Sequence, residues 1–82
     1  MADAVYSVIP VQGGWAVEQP SGDYLMFLSG GLAEAKAHEL AGLDSRAGIK
    51  ARVLIHDRDR TLLGQREYPA RQPPDIDGAR RA

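Results

Sequence analysis

The chain contains no cysteine in 82 residues. Disulfides and thiolate metal sites are therefore excluded, and with them the usual staples of a small secreted domain. No basic segment followed by a long apolar run opens the sequence, so no signal peptide is expected. No apolar stretch approaches the ~20 residues that span a bilayer. The expectation is a cytoplasmic protein with no membrane partner. Catalytic signatures are missing too: there is no Cys–His pair, no Gly-x-Ser-x-Gly, no phosphate-binding loop and no dinucleotide fingerprint. The pairs Gly13-Gly14 and Gly30-Gly31 have neither the spacing nor the lysine of a phosphate loop. No enzymatic activity and no cofactor is expected.

The length gives one domain. Residues 69–82 carry a single large apolar residue, Ile76, and are expected to form a disordered tail, leaving 1–68 to fold. A domain of that size buries only roughly 60% of its unfolded surface and is marginal alone. The net charge of −1 hides an asymmetry. Up to Asp44 there are six acidic residues and one base, Lys36; from Arg46 onward there are nine Lys/Arg and five Asp/Glu. Such a division either steers an acidic partner to one side or is mixed away when the two halves interleave.

Along the chain, Ala4–Val11 reads as a first strand, rich in Val, Ile and Tyr, with Pro10 marking an edge or a strand end. Gly13-Gly14 is a turn, Trp15–Glu18 a second strand, and Pro20-Ser21-Gly22-Asp23 a second turn. Tyr24–Leu28 is a third strand, apolar throughout. A helix follows, with Gly31 as its N-cap and Glu34 in the capping-box position. Its apolar subset Leu32, Ala35, Leu40 and Leu43 is expected to face the sheet, with Ala33, Ala37 and Ala41 as a thin flank. The helix ends near Gly42–Leu43, or runs to Ala47 with Gly48 as a left-handed cap. Ile49–His56 and Leu62–Tyr68 are the last two strands, joined by a charged tip. The fold class is α+β: an antiparallel sheet of four to five strands with one helix on one face, in the order β-β-β-α-β-β.

Val8-Ile9-Pro10, Gly13-Gly14-Trp15-Ala16-Val17, Phe27, Glu34-Ala35, Glu39-Leu40-Ala41, Val53-Leu54-Ile55-His56-Asp57-Arg58-Asp59 and Glu67-Tyr68 together resemble a small bacterial family catalogued as domain of unknown function 2188. The resemblance runs over roughly residues 5–68. The family pattern usually has glycine where this chain has Arg60, and a threonine N-cap where it has Gly31. The resemblance implies the same fold and supplies no catalytic residues.

His56, Asp57 and Asp59 gather at the hairpin tip, where imidazole and carboxylates can ligate a hard metal or move protons. The competing reading is turn chemistry, with Asp57 accepting backbone amides and Arg58 and Arg60 balancing the charge. No metal site is expected, because further ligands are not evident. Glu34 and His38 stand four apart on the helix, too few to hold a metal. Arg52, Arg58, Arg60, Arg66 and Arg71 lie on or near the last hairpin and could track a phosphate backbone, but Asp57, Asp59 and Glu67 interrupt them. Trp15 reads as a core anchor.

Both sides of the strands are apolar: Tyr24, Met26 and Leu28 fall on one side of strand three and Leu25 and Phe27 on the other, with Leu54 opposite Val53 and Ile55 in strand four. One helix, about 10 Å wide, covers part of one face only. The second face is expected to be sticky. The sequence therefore points to a non-enzymatic interaction module that forms a homodimer through its sheet or hairpin tip, on a surface drawn from Leu25, Met26, Leu54, His56, Arg58 and Arg60. An unidentified protein partner is compatible with the same surface. The alternative is a nucleic-acid-binding accessory domain using the arginines of the C-terminal hairpin.

Overall fold

The structure, a computed structural model, describes residues 3–71. Five strands and one helix follow in the order β1 (Ala4–Val11), β2 (Gly14–Glu18), β3 (Tyr24–Phe27), α1 (Gly30–Arg46), β4 (Ala51–His56) and β5 (Leu62–Tyr68). They form one sheet, ordered β3-β2-β1-β4-β5, with α1 on one face. No helix among the described residues is long and apolar enough to cross a membrane.

The sheet is mixed, not purely antiparallel. Tight turns make β1, β2 and β3 an antiparallel meander, and β4 and β5 pair as a hairpin, but β4 lies parallel to β1. The helix is the reason. β3 runs in the direction of β1, and α1, with 17 residues, carries the chain back about 26 Å, the length of the sheet. The next strand then starts where β1 started and must run alongside it. β1 thus becomes the central strand. Pro10 is tolerated there because the β4 pairing stops at Val8–Ile55, so the end of β1 has β2 alone as a neighbour.

The helix turns a different side to the sheet than its leucines predict. Ala33, Ala37, Ala41 and Ser45, spaced by four, are buried, whereas Leu32 and Leu43 are 58% and 49% exposed and only Leu40 is partly covered. Opposite the alanines stand Tyr6, Val8, Val17 and Val53, with Trp15, Leu25, Phe27 and Ile55 packed around them. The sheet supplies the volume and the helix the small side chains, so the two can approach closely. A leucine count misses this, because alanine weighs little in any apolar periodicity. Trp15 packs against the start of the helix: a Cβ at Gly30 would lie 3.2 Å from its Cε2. That bears out the reading of Trp15 as a core anchor.

The helix is capped two residues earlier than expected, at Ser29 and not Gly31. Ser29 is the N-cap, with its hydroxyl accepting the Leu32 N–H at 3.1 Å. At the other end Gly48 takes a φ of +88°, and the N–H groups of Ala47 and Ile49 close on Leu43 and Asp44 carbonyls. Hydrogen bonds to the helix continue past Tyr68. The Ser45 hydroxyl donates to the Pro69 carbonyl at 2.7 Å, and the Arg71 N–H donates to the Ser45 carbonyl at 2.9 Å. Residues 69–71 of the expected tail are thus held by the end of the helix; 72–82 lie outside the described residues.

If the alanine stripe sets the helix-to-sheet distance, Ala37→Leu overpacks the core and lowers stability by about 1–3 kcal/mol, while Leu43→Ala changes it by less than about 0.5 kcal/mol. Urea denaturation of both variants measures the contrast; equal losses would refute the stripe.

Candidate interaction surface

Cross-strand pairing defines what the uncovered face presents. Successive side chains alternate between faces, and paired residues share one. One row across the sheet is Tyr24, Glu18, Ser7, Leu54 and Gln65; the next, toward the hairpin tip, holds Met26, Ala16 and Ile9, and His56 opposite Leu62. The row on the other side carries Val5, Arg52 and Glu67. The face is therefore apolar in one band and polar beyond it. Met26 is 61% exposed in that band and Leu28, just past β3, is 89% exposed.

The expected surface residues divide. Met26, Leu54 and His56 share the uncovered face. Leu25 does not: it pairs with Val17 on the helix side and packs against the core. It lies on the face opposite Met26, as alternation along strand three implies, and that face is the one the helix covers. Arg58 also turns to the helix side, its guanidinium 5.6 Å from the centre of the Trp15 ring. Arg60 reaches back toward the Pro10 carbonyl at 3.4 Å. Tyr24, Ile9 and Leu28 belong to the surface instead, and the alternation of β3 with its neighbours was the signal that placed them.

The hairpin tip is built as a turn. Asp57 Oδ1 accepts the N–H groups of Asp59 at 2.8 Å and Thr61 at 2.9 Å, and the Arg60 N–H donates to the Asp57 carbonyl at 3.0 Å. His56 Nδ1 donates to the Val8 carbonyl at 3.0 Å, closing β1 beyond the last β1–β4 pair. His38 does not meet Glu34; its Nδ1 is 2.7 Å from the Tyr68 hydroxyl. Among the described residues no three His, Asp or Glu side chains gather as a metal would require.

The arginines do not form a strip. Arg52 sits on the uncovered face and pairs with Asp3 at 3.0 Å, Arg66 lies 5.0 Å over the Tyr68 ring on the helix side, and Arg58 covers Trp15. The acidic and basic halves of the sequence interleave, as the Asp3 carboxylate between Arg52 and Lys50 demonstrates.

At the opposite end, an open cleft of about 320 Å³ lies between Ala4, Tyr6, Pro20, Asp44 and Ile49. The Tyr6 hydroxyl donates to Asp44 Oδ2 at 2.6 Å. Burial first, then that hydrogen bond and the carboxylate's charge, push the Tyr6 phenol up to about 12.

Comparison with protein-family models, with curated proteins and with solved structures finds no match for this chain.

Arg60 has a φ of +64°, the one left-handed residue other than glycine among those described. Left-handed backbone costs a side-chain-bearing residue about 1–2 kcal/mol, and glycine returns about 0.5–1 kcal/mol of that as chain entropy. Arg60→Gly is therefore expected to stabilise by roughly 0.5–1 kcal/mol, read as a raised urea midpoint; a lowered midpoint would refute the strain. For Tyr6, the ordinary phenol value is 10.0, so the unfolded chain ionises first. The stabilisation from this phenol is intact below that value and fades as pH climbs toward about 12. Urea midpoints measured from neutral pH to pH 11.5 should fall more steeply for the native chain than for Tyr6→Phe.

Proposed function

We propose that this chain is a non-enzymatic interaction module that associates with a second copy of itself through its sheet. The observation that carries the reading is the apolar band of Met26, Ile9 and Leu62 on the face the helix leaves open, continued by Leu28 at the sheet edge. A band of that kind favours a contact that removes it from water. Closed assembly of a single chain type is most simply two-fold, with the same patch serving both copies.

A non-catalytic role fits the hairpin tip, where Asp57 is engaged by two backbone amides and His56 by a carbonyl. These contacts support a role in holding the turn. Nucleic-acid binding through the last hairpin is the weaker reading, because Arg52, Arg58 and Arg66 face different sides and each already has an acidic or aromatic neighbour. A phosphate backbone needs cations aligned on one side.

Size sets the strength. Five strands at ~4.8 Å and about five residues of ~3.4 Å give roughly 400 Å² of sheet per copy, about 800 Å² for a pair. Stable complexes bury about 1,200–2,000 Å², so a weak, concentration-dependent dimer is expected. Sedimentation equilibrium between ~10 µM and ~1 mM should show the mean mass rising from one chain toward two. Met26→Glu, at an exposed position, should keep its melting temperature and weaken the association at least about tenfold, since a desolvated lone charge costs well over 1.4 kcal/mol. A native chain that stays at monomer mass to ~1 mM would refute the reading.

A further inference from the structure

The sheet has two free edges, and they are unlike. β5 carries Arg66 and Glu67, and its register slips where Ile55–Gly64 gives way to His56–Leu62. Charge and a bulge are the devices by which edge strands avoid pairing with other chains. β3 has neither. Tyr24-Leu25-Met26-Phe27-Leu28 is five uncharged side chains in a row, with no proline and no register shift against β2.

The backbone of β3 is directed for pairing. The Gln19 N–H donates to the Asp23 carbonyl at 2.9 Å, so Asp23 turns its backbone groups toward β2. In an antiparallel ladder these directions alternate, so Leu25 and Phe27 also face β2 while Tyr24, Met26 and Leu28 turn outward. β3 ends at Phe27 and the chain bends at Leu28 and Ser29, although Ser29 itself keeps an extended backbone, with φ and ψ of −134° and 154°. The same edge is apolar on both faces. Tyr24, Met26 and Leu28 stand exposed on the sheet side. On the helix, His38 marks the flank over β5, so Leu32, about 100° around the axis the other way, marks the flank over β3.

We infer that β3 pairs antiparallel with β3 of a second copy, with Met26 on the two-fold axis, joining two sheets into one of ten strands. The inference rests on the self-association proposed above and moves its contact from the sheet face to the β3 edge, where Met26 and Leu28 are covered and Ile9 and Leu62 are not. Three registers oppose outward-facing backbone groups: those centred on Leu25, Met26 and Phe27. Charge selects among them. The first turn of α1 contains no acidic residue, so the positive end of the helix has no carboxylate partner within its own turn. Centring on Met26 sets Asp23 opposite Ser29, the N-cap, and both lie on the helix side of the strand by alternation with Leu25 and Phe27. Each copy then presents a carboxylate at the other's helix start. The register centred on Leu25 sets Asp23 against Phe27, and that centred on Phe27 carries it past the cap.

The test uses the absence of cysteine. Opposed residues of a hydrogen-bonded antiparallel pair have Cα atoms ~5.5 Å apart, within the range a disulfide bridges. Met26→Cys should form a covalent dimer under mild oxidation, and Leu63→Cys, on the opposite edge, should not. Met26→Pro deletes an N–H that β2 does not use; it should weaken dimerisation at least about tenfold in sedimentation while the melting curve stays cooperative. Asp23→Asn should weaken it a few-fold. Leu54→Glu, on the sheet face away from the edge, should leave it unchanged. If the native chain dimerises but Met26→Cys does not cross-link and Leu54→Glu dissociates the pair, the copies meet face to face: the edge contact is refuted and the self-association stands. A native chain that remains monomeric refutes both.

Discussion

One helix must shield a five-stranded sheet, and nearly every other feature follows from how it does so. The alanine stripe at 33, 37 and 41 lets α1 lie close over the middle strands, where Tyr6, Val8, Val17 and Val53 fill the layer between. Close approach gives dense contact over a narrow width. β1, β2 and β4 receive most of it, and β5 reaches the helix chiefly through Tyr68 and His38. No second layer covers the other face among the described residues. Residues 72–82 carry one large apolar residue, Ile76, too few to build one, so the limit on burial and the open sheet go together.

The two ends of the helix solve separate problems with few residues. At the start, Ser29 caps and the glycine at 30 leaves room for Trp15 to slide beneath. At the finish, Ser45 continues the alanine spacing into a polar position: its hydroxyl holds Pro69 and its carbonyl holds Arg71. One small residue thus ties the last strand's exit to the last turn of the helix. A larger side chain would not fit against the sheet, and an alanine there would leave the Pro69 carbonyl without its donor.

The strands were legible because their signals are local. β1 and β5 end where turn residues and Pro69 say they should, and the hairpin tip follows from Asp57 as a backbone-amide acceptor. Two features were not legible, for the same physical reason. The parallel β1–β4 pair depends on the helix returning the chain along the sheet, and the buried side of the helix depends on what the strands present to it. Both are set by packing between segments distant in sequence. Leu25 shows this at the candidate surface: alternation put Leu25 and Met26 on opposite sides, but strand three is apolar at every position, so which side the helix covers is decided only by Leu25 pairing with Val17 and Met26 with Ala16.

The contrast between the two edges bears on why such a domain persists without a second layer. An exposed apolar face invites indiscriminate contact, and Arg66, Glu67 and the bulge near Gly64 close one route to it. Arg52 and Glu67 charge the end of the open face away from the hairpin tip, and Glu18 interrupts its middle. Leu62 and Leu63 stay exposed on β5, but beside the bulge, whereas the exposed apolar residues along β3 have neither charge nor bulge next to them. If protection were needed uniformly, charge would be distributed over both edges; its concentration on β5 leaves β3 as the direction in which association costs least. A partner arriving there meets backbone groups already aligned and side chains already apolar, so little conformational entropy remains to be lost on contact.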